Sequence, residues 1–407
     1  MMSSKMSSKI FIKICCKENI EDNPDSFINP CDFDEFIRYH CANYKYNHIR
    51  LAIIPNNVLI TKHVYKYVSK DIKGYYSASN YILGDKKYYL DDQCTIKKFG
   101  IKITNDFLMM AASSSLINIL KWWKENKIEP INDQDNLLDR IIIETASSKG
   151  SIDVLEWWKN SILSLDYTQY VLDLVSGCGQ IDVLKWWQNY KTPPDSSYSS
   201  YAMDWASAHG HVNVLTWWFN SGLPLKYSEE ALDDASARGY SNVLEWWFNS
   251  GLELKYTDLG IDYASEYGYI NVLESWKNSG LPLKYTDEAI NVPSSCGNIN
   301  VLEWWFNSGL ELKYTDLGID YASENGHINV LESWKNSGLP LKYTDEAINV
   351  PSSCGNINVL EWWFNSGLEL KYNTKYAMGF DDNLSSDDID KTIKWWKCSG
   401  LQPKYWD

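Results

Sequence analysis

Residues 228–256 read Ser-Glu-Glu-Ala-Leu-Asp-Asp-Ala-Ser-Ala-Arg-Gly-Tyr-Ser-Asn-Val-Leu-Glu-Trp-Trp-Phe-Asn-Ser-Gly-Leu-Glu-Leu-Lys-Tyr, and their punctuation marks two short helices. Ser228 is suited to cap a helix whose first turn holds acidic residues, where they favour the helix dipole. Gly239 is placed to end that helix in a left-handed conformation. A second helix begins near Ser241, sets Val243, Leu244 and Trp247 on one face, and stops at Gly251. Leu-x-Leu-Lys-Tyr then links to the next unit. Two helices of two to three turns cannot hide an apolar face alone, so the units must stack on one another.

The unit recurs in both directions. Trp158, Trp187, Trp218, Trp247, Trp276, Trp305, Trp334, Trp363 and Trp396 follow one dominant spacing, and every step from Trp218 to Trp363 is 29 residues. A fixed period of this size is the mark of a repeat array. Thr257, Thr286, Thr315 and Thr344 repeat the cap, while Gly239, Gly268, Gly297 and Gly326 repeat the first stop. Residues 242–299 reappear at 300–357 with only Tyr267 replaced by Asn325 and Tyr269 by His327.

The second Trp of each pair is present in every copy from Trp123 onward, and it is expected to form the structural spine. The first is Trp246, Trp304 and Trp362 in some units but Ser275 and Ser333 in others. Tolerance of Ser places this first column at the periphery. With Tyr267, Tyr269 and His327 at the turns it forms the candidate contact surface, since Trp and Tyr are favoured interface anchors; packing between repeats is the alternative for the same residues. Pro293 and Pro351 stand where Ala235, Ala264 and Ala322 sit, and proline inside a helix predicts that those helices are shortened or kinked.

Charge is uneven along the chain. Residues 1–100 carry 15 Lys and Arg against 11 Asp and Glu, and the rest carry 23 against 42. An acidic array repels phosphate backbones and anionic lipid, so nucleic acid and membranes are not expected partners and proteins are. Hydrophobic content of 44% fits an ordered chain without a run of about 18 apolar residues to span a bilayer. Residues 1–14 lack the pattern of a secretory signal, and an intracellular location is expected. Cys178, Cys296 and Cys354 share one repeat position just before its Gly. Cys15, Cys16, Cys31, Cys41 and Cys94 gather upstream with His40 and His48, but no Cys-x2-Cys pair gives a zinc framework, so neither metal nor cofactor is expected. No phosphate-binding Gly-rich loop, His-Glu-x-x-His or Gly-x-Ser-x-Gly is present, and no catalytic residue is assigned. Asp233, Asp262 and Asp320 recur one per unit, which suggests solvated or helix-dipole carboxylates rather than a paired acid and base.

Aligned by its glycines, Ala-Leu-Asp-Asp-Ala-Ser-Ala-Arg-Gly-Tyr-Ser-Asn-Val-Leu-Glu-Trp-Trp-Phe-Asn-Ser-Gly-Leu resembles the ankyrin repeat. Leu232, Ala235, Gly239, Val243, Leu244, Trp247 and Gly251 fall on its positions, and Gly210-His211 and Gly326-His327 match its Gly-His pair. The resemblance covers roughly residues 103–405 and implies a mainly α, helical-repeat solenoid. It departs from the family in length, 29 residues against about 33, and in Asp233 where the Thr-Pro-Leu-His motif has His. The projecting hairpin fingers are therefore expected to shrink to the Leu-Lys-Tyr link.

Upstream, Asn80-Tyr81-Ile82-Leu83-Gly84, Tyr88-Tyr89-Leu90-Asp91 and Thr95-Ile96-Lys97-Lys98-Phe99-Gly100 resemble the segment preceding the repeats in ankyrin proteins of giant, amoeba-infecting viruses of the mimivirus type. The implied organisation is a small mixed α/β N-terminal domain or cap at 1–102, ankyrin-like repeats at 103–373, and a degenerate polar capping repeat at 374–407. The implied function is a non-catalytic protein–protein interaction scaffold for host proteins; a substrate-recruiting adaptor for a host ubiquitin ligase and a structural virion component are the alternatives. Oligomeric state is not legible.

Overall fold

The computed structural model describes residues 9–16, 46–54, 60–62, 65–67, 70–72, 76–78, 82–83, 87–126, 138–161, 170–190, 198–373, 377–381 and 384–401. The chain divides into two compact units, Met1–Ala202 and Met203–Asp407. Both contain the same helix-pair pattern.

In the first unit, strands β1 (Lys9–Cys16) and β2 (Tyr46–Ile54) pair antiparallel, and β2 also pairs with β7 (Ile82–Leu83) and β8 (Tyr88–Tyr89). The apolar run 49–54 lies on β2, as strand propensity predicts. Two further antiparallel ribbons join β3 (Ile60–Lys62) to β6 (Tyr76–Ala78) and β4 (Tyr65–Tyr67) to β5 (Lys70–Ile72). Pro24, Pro30, Pro55 and Gly74, whose residue types signal turns, lie outside the described residues, as do Cys31, Cys41 and His40. Helix Gln93–Phe99 follows, capped by Asp92, which accepts from the Cys94 N–H. Helix pairs Asn105–Ser113 with Ile117–Glu125, Leu138–Ser148 with Ile152–Asn160, and Val171–Gly177 with Ile181–Tyr190 then alternate. The first helices pack on first helices and the second on second, so helical repeats are already established here.

In the second unit the pairs become regular. First helices Glu230–Ala237, Leu259–Glu266, Glu288–Ser295, Leu317–Glu324 and Glu346–Ser353 alternate with second helices Ser241–Asn249, Ile270–Asn278, Ile299–Asn307, Ile328–Asn336 and Ile357–Ser366. Each first helix packs on the first helix of the next repeat. The expected cap differs in detail, because Ser228 precedes the helix in a hydroxyl turn that accepts from the Glu230 N–H (3.2 Å) while the helix begins at Glu230. Thr257 and Thr286 do the same toward Leu259 and Glu288. The second stop is reinforced by its serine. Ser250 Oγ donates to the Trp247 carbonyl and accepts from the Leu252 N–H.

The expected shortening at the prolines does not occur. Helices Glu288–Ser295 and Glu346–Ser353 have the same eight residues as Leu259–Glu266, with Pro293 and Pro351 buried inside them. In so short a helix a proline removes one donor, and its ring fills the slot that the alanines fill elsewhere. The last repeat keeps only a second helix among the described residues, Ser386–Ser399, capped by Ser385 and presenting Asp387, Asp390, Lys391 and Lys394 to solvent.

Candidate functional site

The spine column is buried throughout: Trp123, Trp158, Trp187, Trp218, Trp247, Trp276, Trp305, Trp334, Trp363 and Trp396 are all between 0 and 5% exposed. Burial of an indole N–H demands a partner, because an unmet donor in the core costs about 1–3 kcal/mol. The partner is a serine 40 residues upstream in the preceding first helix. Trp247, Trp276, Trp305, Trp334 and Trp363 donate to Ser207, Ser236, Ser265, Ser294 and Ser323 at 2.8–3.1 Å. Trp187 makes the same bond to Ser147, and Trp396 makes it to Ser352, 44 residues upstream. The serines are fully buried, and the Ser236 and Ser294 hydroxyls donate in turn to the carbonyls of Leu232 and Ile290. Trp158 departs from the rule, its indole N–H having no hydrogen-bond partner among the described residues.

A second buried ladder runs beside the first and corrects the expectation for the carboxylates. Asp233, Asp262 and Asp320 are 7, 5 and 7% exposed, not solvated. Asp233 accepts from the N–H and hydroxyl of Thr257 at 3.0 and 2.6 Å, and Asp262 and Asp320 accept in the same way from Thr286 and Thr344. Ser228 makes the same pair of bonds to Asp204. Each carboxylate fixes the start of the next repeat's first helix. Burial pushes all three of Asp233, Asp262 and Asp320 above the usual carboxylate range, and the threonine hydrogen bonds oppose that rise. In the proline-bearing repeats Asn291 and Asn349 replace the acid; Asn291 accepts from the Thr315 N–H and donates to its hydroxyl.

The shortened link is a third ladder. Tyr227, Tyr256, Tyr285, Tyr314 and Tyr343 each donate to a carbonyl 26 residues ahead in the next link. Lys255, Lys284, Lys313, Lys342 and Lys371 each return a bond to the carbonyl of the preceding tyrosine and stand 4.3–4.9 Å over its ring. The same rings pack on the spine, Tyr285 on Trp305 at 4.9 Å.

The candidate contact residues divide. Trp246, Trp304 and Trp362 are half-buried rather than fully peripheral, and their indoles donate to Thr216, Glu274 and Glu332 of the preceding repeat. Tyr269 and His327 are also committed to packing, for they lie over Gly239 and Gly297 of the repeat before. Gly297 has φ +76°, and a Cβ there would stand 2.7 Å from His327 Nδ1. Gly268 and Gly326, with φ +81° and +78°, face the amides of Asn298 and Asn356 in the same manner. Tyr267 alone among these six is exposed.

A set of exposed side chains, of which the sequence had pointed only to Tyr267, lies on the first helices and at their C-caps. Tyr267 is 56% exposed, Leu259 48%, Tyr321 46%, Leu317 45% and Tyr263 40%. Leu259, Tyr263 and Tyr267 are four residues apart and so share one helix face, with the Tyr263 and Tyr267 rings stacked at 6.1 Å. Leu317 and Tyr321 repeat it two units on, and Val292 and Val350 hold the corresponding places between and after them. The signal was an i, i+4 apolar pair on the side of the helix away from Ala264.

Among the described residues no cluster of His, Cys, Asp or Glu could hold a metal, and no helix is long and apolar enough to cross a membrane. A scan against protein families finds no match to the sequence, and a search of curated proteins finds no relative. Among solved structures the chain is similar to the pentatricopeptide repeat protein PPR10 from maize, at 12% identity, over 76% of this chain, with a TM-score of 0.23. The chain spans 56% of the length of that protein. The helix pairs and the bonds that join them stand without that comparison. The chain is a helical-repeat protein.

Proposed function

We propose that the chain is a non-catalytic scaffold that binds protein through the exposed face of its first helices. The observation that carries this is the exposure of Leu259, Tyr263, Tyr267, Leu317 and Tyr321 on one helix face, in an array whose Trp304 and Trp305 are bonded to the preceding repeat. Tyrosine and leucine set among Glu266, Glu288, Glu324 and Glu346 give apolar anchors with an acidic surround, suited to a protein surface with basic flanks. The acidic balance beyond residue 100 opposes a nucleic-acid backbone.

The Gly-ended first helix, the following Val-Leu pair and the Gly-His steps support placing the repeats with the ankyrin type, with the fingers reduced to the Leu-Lys-Tyr ladder. The upstream segment supports an ankyrin protein of a giant amoeba-infecting virus, acting inside the host cell on host proteins, organised as 1–102, 103–373 and 374–407. Affinity purification of the tagged chain from amoebal cells, beside a Tyr263→Ala/Tyr321→Ala variant, tests this. The variant should keep its unfolding midpoint and lose its partners; retention of every partner would refute the assignment of that face.

A further inference from the structure

A different surface, formed by the second helices, is grooved. Between second helices Ile270–Asn278 and Ile299–Asn307 lies an open groove of about 420 Å³, walled by Trp304 and lined by Glu274, Lys277, Asn300 and Glu303. A groove of about 450 Å³ with the same wall and lining recurs at Trp362, between Glu332, Lys335 and Glu361. A third, of about 400 Å³, lies at Trp246 beside Glu245 and Phe219. The three walls are 58 residues apart, one per two repeats.

Each groove offers the same chemistry, a half-buried indole beside an exposed carboxylate, with acid exceeding base by one charge. Glu303 and Glu361 are exposed, and Glu274 and Glu332 spend one oxygen on the tryptophan above them. The indole face already attracts a cation: Lys277 Nζ stands 5.9 Å from the Trp304 ring centre. A guanidinium is more weakly hydrated than an ammonium, stacks on an indole, and meets a carboxylate through two parallel N–H donors. It therefore has the advantage over Lys277 for the same ring.

We propose that the Trp246, Trp304 and Trp362 grooves bind the arginines of one extended basic segment of a protein partner, one arginine per groove. Helices pack roughly 8–10 Å apart, so two repeats span roughly 16–20 Å, and an extended chain at about 3.3 Å per residue covers that in about five or six residues. The spacing of the grooves thus selects arginines about six residues apart. The site is independent of the first-helix face.

The test uses the full chain and three synthetic peptides in a Gly-Ser background: one arginine, three arginines six apart, and three adjacent arginines. Binding is followed by calorimetry and tryptophan fluorescence. The spaced peptide should bind at least roughly 100-fold more tightly than the single-arginine peptide, the gain expected when tethered sites are engaged together. It should also bind at least tenfold more tightly than the adjacent triplet of equal charge. Glu303→Gln/Glu361→Gln, at exposed positions, should weaken the spaced peptide more than tenfold at an unchanged unfolding midpoint. Tyr263→Ala/Tyr321→Ala should leave it unchanged, which separates failure here from failure of the first-helix face. Equal affinity for spaced and adjacent peptides, or indifference to the Glu substitutions, would overturn the proposal.

Discussion

Trp305→Ala tests what holds the repeats together. The indole is 1% exposed, packs on Tyr285, and donates to Ser265 Oγ at 3.0 Å. Burying a Trp removes about 150–250 Å² from water, which at about 25 cal/mol/Å² is roughly 4–6 kcal/mol as an upper bound. Large-to-small core substitutions of this kind cost about 3–5 kcal/mol, and that is the expected loss. Part of it belongs to the hydrogen bond. Combining Trp305→Phe with Ser265→Ala in a double-mutant cycle should give a coupling of about 0.5–1.5 kcal/mol, because each single change strands one partner and the double change strands neither. Urea unfolding followed by far-UV circular dichroism supplies the energies, fitted as coupled repeats, since long arrays lose all-or-none behaviour. An unchanged unfolding curve for Trp305→Ala would refute the buried spine, and zero coupling would refute the serine bond.

Trp304→Ser reproduces the residue that Ser275 and Ser333 already carry, so it should cost about 1 kcal/mol or less in the same assay. Gly309→Ala and Gly297→Ala should differ: both need positive φ, costing about 1–2 kcal/mol, but only at Gly297 does the new Cβ meet a neighbour's ring, so its melting temperature should fall further. Asp262→Asn should be tolerated because Asn291 and Asn349 serve in that column, whereas Asp262→Ala orphans Thr286 and should cost about 1–3 kcal/mol by urea midpoint. The raised pKa of Asp233, Asp262 and Asp320 fixes a sign for pH. The unfolded chain releases these protons more readily than the folded one, so their contribution is fully present below the unfolded value near 4 and falls as pH rises through the raised folded value. The stability of the Asp262→Asn variant should therefore depend less steeply on pH across that window.

The helix pairs, their stops and the spine were legible because they rest on local rules: glycine where φ is positive, hydroxyls ahead of first helices, and apolar residues on one helical face. The ladders were not, since they join residues in different repeats. Trp305 and Ser265 are 40 apart and Asp233 and Thr257 are 24 apart, offsets longer or shorter than the 29-residue period. A Ser column 40 before the Trp column from Trp247 to Trp363 was nevertheless present in the sequence, as was Asp 24 before Thr257, Thr286 and Thr344. Pro293 breaks the local rule without shortening its helix, because its ring packs in the buried slot that alanine fills in other repeats. Trp304 and His327 misled because variation between repeats marks an exposed position less surely than it marks one where two side chains pack equally well; only Tyr267 was both variable and exposed.

The most direct test removes residues 300–357, the second of the two near-identical 58-residue copies, so that Ile299 joins Asn358 in the register it had with Asn300. If stability resides in bonds between neighbouring, interchangeable repeats, the shortened chain keeps its mean residue ellipticity and unfolds cooperatively at a somewhat lower urea concentration. Loss of the cooperative transition, or a collapse of helical signal beyond the residues removed, would contradict it.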